Sequence, residues 1–326
     1  KVSSFIANAI VHSLMLNNAL IYSVKKTTTA KKSPLKIFDT YRERVNSKLE
    51  AYLSSICSNN YLQSELNNVM SYSVFAGGKR FRPILTYTTA SLYDIDLIKA
   101  DACACAIELI HVYSLIHDDL PAMDNDDMRH NQPSSHKTFG EAQAILAGDG
   151  IQALAFEVLS RDESIEPDIR IELLKLLAIS AYEMADGQSI DLSVVTKKVD
   201  IEFLNNMHKK KTGSLISCAV KFGALINNNI NPKDSDILDS YSNNIGLAYQ
   251  VQDDVLDISG TEEVLGKRQN SDLVKVKPTY PAILGLDESI KVYQDLYKKA
   301  IDEISSLSVN EKPLRKLTEK LMKRDF

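Results

Sequence analysis

Glycine and proline, the residues that punctuate turns, number only 21 in a chain of 326. An average chain carries roughly twice that share, about 12%. An all-β sandwich or barrel needs a turn signal every 8–12 residues or so, so this chain is short of turns for a β architecture. Long helices need few turns, and an all-α fold is the expectation. The apolar spacing agrees. In 41–57, Val45, Leu49, Tyr52, Leu53 and Ile56 recur at three- and four-residue steps, the period of one helix face. Residues 100–118 are a nearly unbroken run of small and apolar side chains, as expected of a buried central helix. Further helices are expected over 140–160, 166–185, 200–225, 234–258, 286–306 and 311–324. The Asp-Gly pairs at 149–150 and 186–187 do not separate alternating segments and are not read as hairpins. No internal repeat or second composition regime appears, so one large helical domain is expected.

Charge narrows the partners. A net charge of −5 excludes nucleic-acid binding through a basic surface as the main activity. Residues 1–38 hold six Lys and no acid, so the body is more acidic than the average. Cys57, Cys103, Cys105 and Cys218 lack the paired C-x-x-C spacing of a zinc site and read as packing residues in a reducing compartment. The run 5–24, FIANAIVHSLMLNNALIYSV, is interrupted by Asn8, His12, Asn17 and Asn18. Their desolvation cost argues against a transmembrane segment. Residues 1–36 are read as an extension, disordered or targeting, ahead of a folded domain over 37–326. A cytoplasmic location is expected, or an organelle matrix if the extension is a transit peptide.

Two acidic clusters stand out. Asp118-Asp119-Leu120-Pro121-Ala122-Met123-Asp124 closes the apolar helix, and Asp253-Asp254-Val255-Leu256-Asp257 lies 135 residues later at the end of another. Asp253 and Asp257, four apart, share a helix face, and their repulsion disfavours burial without a cation. Pro121 opens the first helix and lets Asp124 return toward Asp118 across a bulge. Clusters in which carboxylate oxygens are the recurring donors suit Mg²⁺, which binds through one or two carboxylates plus substrate phosphates. Phosphate would need cations. Gly77-Gly78-Lys79-Arg80-Phe81-Arg82-Pro83 is a flexible turn with three, Arg129 follows the first acidic cluster, Lys211-Thr212-Gly213 opens another apolar helix, and Lys267 and Lys277 follow the second cluster. Neither a P-loop nor a dinucleotide fingerprint is present.

Together the two Asp motifs, GGKRFRP, HKTFGEAQAILAGD (136–149), KTG, YQVQDDVLD (249–257), LGKRQNSD (265–272) and KPTYPAILGL (277–286) resemble the trans-isoprenyl diphosphate synthases. The match runs in order over roughly residues 40–326. Within that family it resembles the bacterial-type farnesyl diphosphate synthases, whose first motif has the same D-D-x-x-x-x-D expansion. The resemblance implies an all-α helical bundle around a deep central cavity (the isoprenoid synthase fold), with the catalytic domain over 37–326 and a homodimer. It implies condensation of isopentenyl diphosphate with dimethylallyl or geranyl diphosphate to farnesyl diphosphate, with Mg²⁺, three ions per site. Asp118, Asp119, Asp124 and Asp253 would hold metal, with Asp254 and Asp257 in support. Arg129, Lys211 and Lys267 would hold the allylic diphosphate, with Lys277 also binding substrate. Lys79, Arg82 and His111, with His130, would hold isopentenyl diphosphate. Oxygens of Thr212, Gln250 and the Lys211 carbonyl would face the allylic cation. Tyr113, five residues before Asp118, would floor the cavity at the C15 product, with Ser114 beside it.

The sequence departs from the family pattern at three places. His130 stands where a second Arg is usual, which predicts weaker isopentenyl diphosphate binding that improves in mild acid, or compensation by imidazole hydrogen bonds. Asp186 replaces a Gly and is expected to add negative charge near the cavity. Pro278 replaces a small residue after Lys277. Three other readings are a C20 geranylgeranyl diphosphate synthase, a weakly active regulatory partner subunit, and a cyclising terpene synthase. Complete acidic motifs argue against the partner subunit, and Lys79, Arg82 and His111 against the cyclase.

Overall fold

A computed structural model describes residues 34–57, 65–228, 230–259 and 277–323. The segment 5–24 and Lys267 therefore lie outside the described residues. The chain divides into a short unit, Lys1–Asp39, and a large one, Thr40–Phe326. The described helices are α1 (Pro34–Cys57), α2 (Glu65–Val74), α3 (Phe81–Leu92), α4 (Ile98–Asp118), α5 (Ser135–Phe139), α6 (Glu141–Ser160), α7 (Pro167–Ser193), α8 (Ile201–His208), α9 (Ser214–Leu225), α10 (Pro232–Ser259), α11 (Tyr280–Leu284), α12 (Leu286–Ile304) and α13 (Lys312–Lys323). Among the described residues the only strands are β1 (Met128–Arg129) and β2 (Gln132–Pro133), paired antiparallel. The all-α expectation holds.

In the large unit α4 is the central element. Ala100 to Ile110 are all buried, because α2, α3, α6, α7 and α9 all pack on it. Each fully buried Leu or Ile stabilises by about 1.5–3 kcal/mol. Both α4 and α6 are long and apolar enough to cross a bilayer, but 78% of the apolar stretch of α4 is buried inside the protein, as in a core helix. Two acids interrupt this apolar helix. Asp101 accepts two hydrogen bonds from Arg44, at 2.5 and 2.7 Å, and one from the Tyr87 hydroxyl at 2.8 Å. Glu108 accepts from Arg80 Nη1 at 2.7 Å. Cys103, Cys105 and Cys218 are buried and free, as packing residues should be.

The structure corrects three boundaries. The helix expected over 200–225 is broken by a π turn at Lys209–Gly213. The helix expected to end at 185 continues to Ser193. A small hairpin at 128–133 turns on His130 and Asn131, both at positive φ (49° and 62°), the geometry of a two-residue hairpin loop.

Candidate active site

The α4 helix delivers the first acidic motif. Past Asp118 the chain turns, and the Asp124 N–H donates to the Asp118 carbonyl at 2.8 Å, the expected return across the bulge. Asp118 and Asp124 line a cavity of about 640 Å³. Asp119 points the other way, onto a neighbouring cavity of about 540 Å³. There it is bidentate with Arg129, whose Nε donates at 3.1 and 3.3 Å and whose Nη2 makes a shorter contact. Burial pushes Asp118 up to about 6, with the Asp124 and Asp119 carboxylates adding to the rise and Lys211 and Arg129 opposing it. A cation beside Asp118 would relieve that excess of negative charge.

Facing this motif, α10 carries Tyr249, Gln250, Asp253 and Asp254. Asp253 lines both cavities. Asp254 is engaged by the protein. Its Oδ2 accepts from the Tyr280 N–H at 3.0 Å, and its Oδ1 accepts from Gln250 Nε2 at 3.0 Å. His208 Nε2 lies 3.4 Å from Oδ2. Asp257, 1% exposed, is not on either cavity wall. Asp254 thus lines the larger cavity beside Asp253 with its carboxylate already engaged, and Asp257 stands behind them. Because a carboxylate only accepts, Asp254 fixes which end of Gln250 is the amide nitrogen. The Gln250 Oε1 then accepts from the Thr212 hydroxyl at 2.7 Å. The Thr212 proton is used, and the oxygen lone pairs of Thr212 and Gln250 are left for an electron-poor centre.

The π turn sets Lys211 and Thr212 against the larger cavity. It fits because Gly187 of α7 has no side chain: a Cβ there would lie 2.3 Å from the Lys211 nitrogen. Lys210 and Lys211 flank this contact and pair with α7 on either side. Lys210 Nζ reaches Asp186 at 2.5 Å, and Lys211 Nζ reaches Asp191 at 2.7 Å. Asp186 is not a cavity residue, so the charge expected to intrude there is neutralised by Lys210 instead. Lys277 Nζ donates to Asp124 Oδ1 and Asp191 Oδ2, both at 3.0 Å. Two ammonium groups on one carboxylate oxygen lie within about 6 Å and repel by roughly 3 kcal/mol at an effective dielectric constant of about 20. Asp191 between them offsets this, and the two lysines hold its carboxyl down at about 2 against the opposing effect of burial.

The smaller cavity is basic. Lys79, Arg82, His111, Arg129 and His130 line it. Arg82, His111, Arg129, His130, Tyr249 and Asp253 line both cavities. Among the described residues the buried Arg82 Nε has no hydrogen-bond partner, a donor suited to an anion. Arg80, the third cation of the glycine turn, is instead buried against Glu108, Asn46 and the Val74 carbonyl. His130 lies over Gly77 and Gly78, where either Cβ would be 3.3 Å from it. Burial pushes His111 well below its usual value, with Arg82, His130 and Arg129 adding to the fall, so it is a neutral donor.

Tyr113 and Ser114 line the larger cavity. Tyr113 meets the His117 ring edge-on at 5.8 Å, and Ser114 donates to the His111 carbonyl at 2.8 Å. Sequence reasoning gave no role to Asp191, Gln188 or His208, which all line this cavity. Among the described residues neither amide atom of Gln188 has a partner. The signal available was spacing: Asp191 and Gln188 lie four and one residues beyond Gly187 on a helix that must face the π turn. Among the described residues no three His, Cys, Asp or Glu side chains form a preassembled metal cage. Asp118 and Asp124 with Asp253 across the cavity are oxygen donors of the kind Mg²⁺ takes, with water and phosphate completing its shell.

The polyprenyl synthetase family model matches residues 63–311. A farnesyl diphosphate synthase of Escherichia coli (strain K12) is 42% identical over 78% of this chain and 88% of its own. A geranylgeranyl diphosphate synthase of Cyanophora paradoxa is 44% identical over 72% of this chain and 79% of its own. The crystal structure of a geranyltransferase from Helicobacter pylori, complexed with magnesium and isoprenyl diphosphate, superposes with a TM-score of 0.77 at 29% identity, covering 92% of this chain and 99% of that one. With both acidic motifs on one cavity and a family match across most of its length, the chain belongs to the polyprenyl synthetase family and is a trans-prenyltransferase.

Proposed function

We propose that the protein condenses isopentenyl diphosphate with dimethylallyl or geranyl diphosphate to give farnesyl diphosphate. The observation that carries this is one wall-sharing pair of cavities. The larger holds Asp118, Asp124 and Asp253 with Lys211 and Lys277, and the smaller holds Lys79, Arg82 and His111. The allylic diphosphate sits in the larger cavity, its anion against Lys211, Lys277 and Arg129. Isopentenyl diphosphate sits in the smaller one, its anion against Lys79, Arg82, His111 and His130. Asp118, Asp124 and Asp253, with Asp119 once released from Arg129, would hold Mg²⁺, three ions in our reading. Mg²⁺ held by these carboxylates would supply positive charge against the leaving diphosphate.

The allylic C–O bond breaks with its electron pair leaving on the diphosphate. The resulting carbocation faces the oxygens of Thr212 and Gln250 and the Lys211 carbonyl, dipoles held in place before the charge develops. The isopentenyl double bond attacks, forming the new C–C bond, and the adjacent proton is lost to the departed diphosphate. Tyr113, with Ser114, sets how long a chain the cavity admits. Residues 37–326 are the catalytic domain in this reading, working in the cytoplasm. Exposed apolar side chains on α6 and α7, including Ile145, Leu146, Ile179 and Tyr182, support a homodimer.

The test is turnover of geranyl diphosphate and labelled isopentenyl diphosphate with Mg²⁺, with product length read by chromatography. A C15 product is expected. A C20 product would remove Tyr113 as the floor and favour the geranylgeranyl reading. No condensation at all would sink the assignment.

A further inference from the structure

Asp191 joins two of the cations that line the larger cavity. It is 4% exposed, and its Oδ2 accepts from two lysines on separate elements, Lys211 of the π turn at 2.7 Å and Lys277 at 3.0 Å. Lys277 is anchored at its other side by Asp124. An ammonium has three N–H donors. After these bonds one remains on Lys277 and two on Lys211, and both side chains line the larger cavity. We propose that Asp191 is a positioning residue that sets these two ammonium groups side by side as a prebuilt receptor for the allylic diphosphate. This rests on the functional reading above and adds the residue that organises its anion site.

The alternative is that Asp191 merely competes with the diphosphate for the lysines. The two differ in sign. If the carboxylate competes, its removal tightens anion binding. If it positions, its removal frees Lys211, leaves Lys277 held by Asp124 alone, lets the two ammonium groups repel each other, and weakens binding. The probe is inorganic pyrophosphate with Mg²⁺, measured by titration calorimetry. For Asp191→Asn we expect about tenfold weaker binding, the scale of a lost charge-assisted hydrogen bond, and a raised KM for the allylic diphosphate with an unmoved KM for isopentenyl diphosphate. The loss should shrink when Lys277→Gln is already present, because the effect runs through that lysine.

Unchanged or tighter pyrophosphate binding overturns the proposal, as does an undiminished loss in the Lys277→Gln background. Should Asp191→Asn not fold, Asp191→Glu keeps the charge and moves it by one methylene. Weaker binding by that variant supports the proposal and wild-type affinity overturns it. Wild-type protein that fails to bind pyrophosphate takes down the functional reading as well. Wild-type binding with an indifferent variant takes down this inference alone.

Discussion

His130 shows how one side chain can separate this protein from its family's usual pattern. It lines both cavities and occupies a left-handed hairpin position, φ 49°, which histidine tolerates better than bulky or branched residues. Burial lowers its pKa first, and the nearby Arg129 and Arg80 charges lower it further. A lowered folded value means the folded protein binds fewer protons than the unfolded chain between that value and about 6.5. His130 therefore costs stability as pH falls through that window, and its protonation is displaced to lower pH than that of a free imidazole. The gain in isopentenyl diphosphate binding expected from sequence moves to lower pH. We expect the KM for isopentenyl diphosphate to be flat from pH 8 to 6.5. His130→Arg should lower it about three- to tenfold at pH 7.5, the worth of one charge-assisted bond, with the allylic KM unmoved. Steady-state kinetics of both proteins check this, and an unaltered KM in the variant removes His130 from the isopentenyl site.

The π turn is the element on which the site's geometry depends most. Apolar spacing over 200–225 reads as one helix because a single added residue in the ladder barely disturbs the period. What placed Lys211 and Thr212 on the cavity wall is the backbone contact at Gly187, a tertiary fact invisible in local pattern. The hairpin at 128–133 was missed for a related reason: two-residue strands are too short to alternate. By contrast, α4, α6, α10 and α12 were legible because long apolar faces repeat. Gly187→Ala should cost about 1–3 kcal/mol from overpacking and reduce kcat, since the methyl must push Lys211 and Thr212 out of line. Thermal unfolding and turnover measured together check it. A variant with wild-type stability and kcat would mean the turn accommodates a side chain there.

Across the molecule, the sequence carried the chemistry further than the connections. Both acidic motifs, the glycine turn and the KTG segment were readable as parts of one site, because together and in order they resemble one family's motifs, whereas either acidic cluster alone would pass for a solvated helix end. Which partners they hold was not readable. Arg80 and Arg82 look alike in sequence, yet Arg80, at the wall of the smaller cavity, is tied up by Glu108, while Arg82 lines both cavities with its Nε unpartnered among the described residues. Asp254 and Gln250 were legible as neighbours, but only packing revealed the chain from Tyr280 through Asp254 and Gln250 to Thr212. The homodimer read from the exposed apolar side chains of α6 and α7 is expected to sediment at twice the mass of one chain, and monomers at micromolar concentration would contradict it.

In the proposed reaction, carboxylates from α4 and α10 grip a diphosphate through divalent ions. Turnover of purified protein stripped with a chelator and then titrated with Mg²⁺ decides it. Condensation should vanish in the chelator and return in full as Mg²⁺ is restored. Full turnover in the metal-stripped protein would contradict the account.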